Sequence, residues 1–174
     1  MGGQASRSRL NGVKHITWSN NRAAYGSRSM STRIRRMALR DAEAVAELTT
    51  QLGYPVESDA LAGRIGPLLE ETSSAVLVAV DAEDRPIGWL HVAMQLSLEG
   101  DPRVHIMGLV IDDRHRSAGI GQELLAAGEG WARERGVTRM TVYSRQARER
   151  AHRFYQREGY TMVKRSYFFE KDLS

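Results

Sequence analysis

Cysteine is absent from the 174 residues. The chain therefore has no disulfide framework, thiol nucleophile or cysteine-ligated zinc, and nothing ties it to an oxidising compartment. No apolar run approaches the ~18 residues that crossing a bilayer requires, which excludes a membrane partner of that kind. Histidines and carboxylates show no ligand spacing, so no metal is expected. Acidic residues are missing from Met1 to Met30, where Arg7, Arg9, Lys14, Arg22 and Arg28 stand unopposed. The rest carries 20 basic and 21 acidic residues, so the overall net charge of +4 belongs to the tail. A nucleic-acid partner inferred from that charge would rest on the tail alone, which argues against one.

What is present describes an average soluble globular chain: 41% hydrophobic and 26% charged residues, at a length suited to one domain. A cytoplasmic location is expected. Residues 1–30 are rich in Ser, Asn, Gly and Arg and lack hydrophobic periodicity, and are expected to form a disordered basic tail. An inert extension ahead of a start at Met30 and an organellar transit peptide both fit that composition. Residues 31–174 are expected to form the folded domain.

Within it the order reads β-α-α-β-β-β-α-β-α-β. A strand over 32–37 precedes a helix that Asp41 is placed to cap. A second helix over 58–70 is made irregular by Gly63, Gly66 and Pro67. Strands over 75–80 and 87–94 flank a polar loop, as in a hairpin, and a third follows over 104–111. The best-marked helix starts at Gly119, with Ile120, Leu124, Leu125, Gly128, Trp131 and Ala132 on one stripe and Gly136 as its stop. A strand over 137–143, a helix over 147–158 and one or two closing strands over 162–170 complete the chain.

The junction at Arg116-Ser117-Ala118-Gly119-Ile120-Gly121 carries the chemistry. A strand ends, small residues turn the chain, and a helix opens. Its first amides lack internal acceptors and its dipole is positive there, so the loop is suited to cradle a phosphate. Glycines 119 and 121 are expected to let oxygens approach the backbone. Gln122 and Glu123 stand where a nucleotide-hydrolase loop needs Lys and Ser or Thr, and Leu124 stands where a dinucleotide fingerprint needs glycine.

This stretch resembles the acyl-coenzyme A loop of the GCN5-related N-acetyltransferase (GNAT) family: Arg or Gln, two residues, Gly, any residue, Gly or Ala. Ala151, Tyr155 and Gly159-Tyr160 are similar to the family's second signature. The resemblance spans 32–172. It implies an α/β (α+β) fold with a mixed, mostly antiparallel sheet of six to seven strands and about four helices. It further implies acetyl-CoA as co-substrate and direct acetyl transfer to a primary amine of a small molecule or peptide. A homodimer is in keeping with it. One departure stands out: where the family often has a cofactor-contacting asparagine, this chain has Arg148, which either reaches the cofactor or lies solvated. That departure supports the competing reading, a non-catalytic acyl-CoA sensor or interaction module.

The resemblance assigns the cofactor to Leu109, Val110, Ile111 and residues 116–121. The Leu109 amide would polarise the thioester carbonyl and Ile111 would pair with pantetheine. Tyr155 is the matched proton donor to the leaving thiolate. His105, four residues before Leu109, is the base candidate, with His91 second and water the other option. Tyr54, in Leu52-Gly53-Tyr54-Pro55, is the candidate acceptor contact. Tyr167 and Phe168 are placed on the pocket's opposite wall or in the core.

Overall fold

The structure is a computed structural model that describes residues 32–173. The expectation for residues 1–30 lies outside the described residues. The elements are β1 (Arg33–Arg36), α1 (Ala42–Gln51), α2 (Ser58–Glu70), β2 (Ser74–Val80), β3 (Pro86–Ser97), β4 (Gly100–Ile111), α3 (Ile120–Glu134), β5 (Met140–Val142) and α4 (Glu149–Arg157). Short 3-10 turns lie at Leu39–Asp41 and Asp113–His115. The strands form one open sheet in the order β1-β2-β3-β4-β5. The first three pairings are antiparallel, and β4 with β5 is parallel. Thus the mixed, mostly antiparallel sheet with four helices is as expected, while five strands stand among the described residues instead of six or seven.

Both sheet faces are covered, which is why β2 is apolar almost throughout. Leu90 and Val92 of β3 join Val104, Ile106, Leu124, Leu125 and Trp131 in one core. Val76, Val78 and Val80 join Met37, Val45 and Ile65 in the other, with Trp89 packed against them. The stripe read from the period of α3 is the buried face observed. Leu124 and Leu125, 0% and 2% exposed, each contribute on the order of 2 kcal/mol through burial.

Two local expectations need correction. The Asp41 side chain does not cap α1. It lies buried, accepts the Ala38 amide at 2.8 Å, and receives the Arg35 guanidinium at 2.7 and 2.8 Å. A buried carboxylate needs its arginine more than a helix end needs a cap, because an unpaired buried charge costs several times as much. The second correction concerns the closing strands over 162–170, where the chain forms no strand. Tyr167, Phe168 and Phe169 are 87–91% exposed. Alternation in sequence describes a strand's two faces, but a ladder partner makes the strand, and β5 offers only three residues.

Candidate active site

The site begins with an irregularity in β4. His91 pairs with Gly108 and Val92 with Ile106, so Met107 is an extra residue on the β4 side. Such a bulge bends and twists its strand. On the other side, β4 pairs with β5 only through Val104, His105 and Ile106. Beyond Ile106 the two strands part, and residues 107–111 have no β5 neighbour. Gly108 accommodates the bend: a Cβ there would lie 2.6 Å from the Trp89 ring.

A cavity of about 130 Å³ occupies the opening. Leu52 and Tyr54 border it from the α1–α2 loop, Met107, Gly108 and Leu109 from β4, Tyr143 to Arg145 and Arg148 from the segment after β5, and Tyr155 from α4. A larger hollow of about 340 Å³ lies between α1 and the β2–β3 turn, but most of its charges are paired. Arg40 pairs with Asp84 and Arg85 with Glu47, which leaves little there for chemistry.

Next to the opening, the chain turns from β4 into α3. Asp112 is buried and accepts the Arg114 amide at 2.9 Å and its guanidinium at 2.6 and 3.0 Å. Those bonds pull its carboxyl down to about 2. Arg116 is paired with Asp113. Ser117 and Gly119 take positive φ values of 69° and 85°. That geometry is cheap for Gly119 and strained for Ser117, a recurrent mark of ligand-holding loops. The Glu123 amide bonds to the Gly119 carbonyl at 3.1 Å, starting the helical ladder and leaving the preceding amides as outward donors.

The two glycines differ from expectation. Nothing lies within 4 Å of a Cβ built on Gly119, so that position is open. A Cβ on Gly121 would meet the Phe154 ring at 3.2 Å. Its space is taken by α4, not left for a ligand. Phe154 thereby packs α4 against the loop while Tyr155, the next residue, borders the cavity.

Tyr155 is half-buried and packs edge-on against Phe154 and Tyr160. Burial pushes its phenol up to about 12, with the positive charge of Arg148 acting in the opposite direction. Arg148 spans the cavity's edge and donates to the Leu52 carbonyl at 2.8 Å. Arg145 donates to the Tyr54 hydroxyl at 3.1 Å and lies 5.5 Å from the ring's centroid.

The structure thus brings Tyr54, Leu109, Arg148 and Tyr155 to one cavity, with Val110, Ile111 and residues 116–121 beside it. His105 is not among the lining residues. Its Nδ1 lies 3.0 Å from the Thr141 hydroxyl and its ring 4.8 Å from that of Tyr143, which does line the cavity. Burial lowers its pKa and favours neutral imidazole at pH 7. His91 is lowered by burial as well, and its Nε2 is buried without a partner. Tyr167 and Phe168 face solvent. Sequence reasoning missed the Met107 bulge, which has no residue signature, and Arg145, which looks like any loop arginine until the fold brings Tyr54 to it.

A splayed strand pair, a phosphate-type loop and a tyrosine facing the split define an acyl-transfer scaffold. The model of the Acetyltransferase (GNAT) family matches residues 39–160, and the chain belongs to that family of acyltransferases. It is 26% identical over 144 residues to aminoglycoside N(6')-acetyltransferase type 1 of Stenotrophomonas maltophilia, covering 80% of this chain and 93% of that enzyme. Mycothiol acetyltransferase of Propionibacterium freudenreichii is 34% identical over 92 residues, 52% of this chain and 28% of that enzyme. The solved structure of an aminoglycoside 6'-N-acetyltransferase with the bisubstrate analogue CoA-S-monomethyl-acetylneamine superposes with a TM-score of 0.71. It is 22% identical and covers 81% of this chain and 98% of its own. No helix among the described residues is long and apolar enough to cross a membrane.

Proposed function

We propose that this chain is an N-acetyltransferase that moves the acetyl group of acetyl-CoA directly to a primary amine of a small molecule or peptide in a ternary complex. The observation that carries the reading is the split between β4 and β5, with Leu109 and Tyr155 on one cavity beside an open anion cradle at Gly119. The relatives, one named an aminoglycoside N-acetyltransferase and one a mycothiol acetyltransferase, support it. A cytoplasmic monomer or homodimer suits this role.

Residues 116–121 hold the diphosphate of the donor, whose thioester supplies the acetyl group. Ile111 pairs with its pantetheine arm. The Leu109 amide faces the carbonyl oxygen, where a preorganised backbone donor is worth on the order of 3 kcal/mol. An alkyl amine at pH 7 must first lose a proton, at about 4.6 kcal/mol. His105, neutral and with Nε2 free of its Thr141 contact, takes that proton through water. Tyr155 gives its proton to the departing thiolate, and the nearby charge of Arg148 favours the phenolate that results.

Calorimetry with CoA and acetyl-CoA, followed by thiol release with a panel of amines, tests the reading. Binding with amine-dependent release is expected. Binding without release for any amine supports the sensor alternative, and absence of binding removes the donor from the account.

A further inference from the structure

The acceptor half of the cavity has a chemical signature of its own. Two guanidinium groups, Arg145 and Arg148, border it, and no carboxylate does among the described residues. Neither arginine has an acidic partner there; Arg145 is held by a phenol and Arg148 by a carbonyl, neutral acceptors that leave both charges uncompensated. Arg33, Arg85, Arg114, Arg133 and Arg153, by comparison, each meet a carboxylate. The donor's diphosphate does not account for them, because no residue of the 116–121 loop lines this cavity. Arg145 is also preset: its contact with Tyr54 joins positions 91 residues apart and fixes the side chain at the α1–α2 loop. Guanidinium forks suit carboxylate and phosphate oxygens and repel additional cations.

Resting on the acetyltransferase reading, we infer that the acceptor is a primary amine that also carries an anionic group, a carboxylate or a phosphate, held by Arg145 beside Tyr54. A polycationic aminoglycoside, the substrate for which one relative is named, meets two positive charges with no acid to offset them. The chain therefore shares that relative's scaffold but not its acceptor.

The test uses the full chain with acetyl-CoA. Thiol release is followed for amino acids against their decarboxylated amines, for glucosamine 6-phosphate against glucosamine, and for kanamycin as the polycation. The expected result is a kcat/KM for one anionic series at least about tenfold above its neutral counterpart, with kanamycin lowest. The series that shows the preference tells carboxylate from phosphate. Arg145→Gln should collapse the preference to about twofold through KM, and Arg145→Lys should restore part of it. CoA affinity, measured separately by calorimetry, reports on the donor site. Intact CoA binding with kanamycin turned over as fast as the anionic amines overturns the inference. So does a preference that survives Arg145→Gln, or the absence of turnover and of saturable anionic-amine binding to the CoA-loaded protein. Loss of CoA binding in the unaltered chain instead overturns the reading beneath it.

Discussion

The two halves of the cleft are made of different material. In the proposed reading the donor half, from Leu109 through the loop to Gly119, offers main-chain groups whose positions follow from a strand end and a helix start. The acceptor half of that reading offers side chains, Tyr54, Arg145 and Arg148, drawn from two stretches of chain far apart in sequence. Main-chain donors serve any residue sequence that can make the turn, so such a half suits a ligand common to a whole family. A side-chain half can change by single substitutions without disturbing the fold, which is where specificity is free to vary.

The largest expected effect falls where the halves meet. Tyr155→Phe removes a proton donor and keeps the ring that packs on Phe154 and Tyr160. Turnover should drop about 100-fold, the scale of a positioned general acid. CoA affinity should stay within about twofold, since calorimetry reads only the donor half. A loss in affinity equal to the loss in rate would show that the two halves are not separable at this residue.

Gly121→Val comes next, aimed at the donor half alone. A Cβ already meets Phe154 at 3.2 Å, and the added methyls must displace that ring or the loop. Overpacking of this kind costs roughly 1–3 kcal/mol, so CoA should bind about tenfold more weakly and the melting temperature should fall. Phe154→Leu in the same chain should recover part of both losses by making room. Without recovery, the loop and α4 are not coupled through this contact.

The same division explains what could be read in advance. The strand-to-helix turn at 116–121, the buried stripe of α3 and the helix that carries Tyr155 are legible because each rests on local spacing: a turn, a helical period, a motif. The space beside Gly121 goes to Phe154 and not to a ligand, and only the fold shows it. The bulge at Met107 was invisible: it depends on how β3 and β4 register, and no residue at 106–108 prescribes it. Arg145 was passed over because its partner is remote in sequence. Asp41 was read as a cap because its neighbours are helical, whereas its actual partner, Arg35, lies on β1. The closing strands failed for a related cause: residues 162–170 have the alternation of a strand but no ladder to join.

The smallest effect concerns how the donor half is anchored. Asp112 joins the end of β4 to the loop through three bonds to Arg114, and its carboxyl is held near 2, below the ordinary 3.8. A lowered carboxyl favours the folded state wherever the group is ionised in both states, so its contribution is complete above pH 4 to 5. It fades as the pH falls from the ordinary value through 2, where both states are protonated. Arg114 is exposed and water screens much of the attraction, so about 1 kcal/mol is at stake. Asp112→Asn keeps an oxygen for the Arg114 amide and removes the charge together with the second oxygen that accepts from the guanidinium. Thermal melts should therefore show the variant less stable at pH 6, with the gap closing toward pH 2. A gap independent of pH would mean that Asp112 secures the loop by shape and hydrogen bonding, and the donor half would then owe its rigidity to the backbone alone.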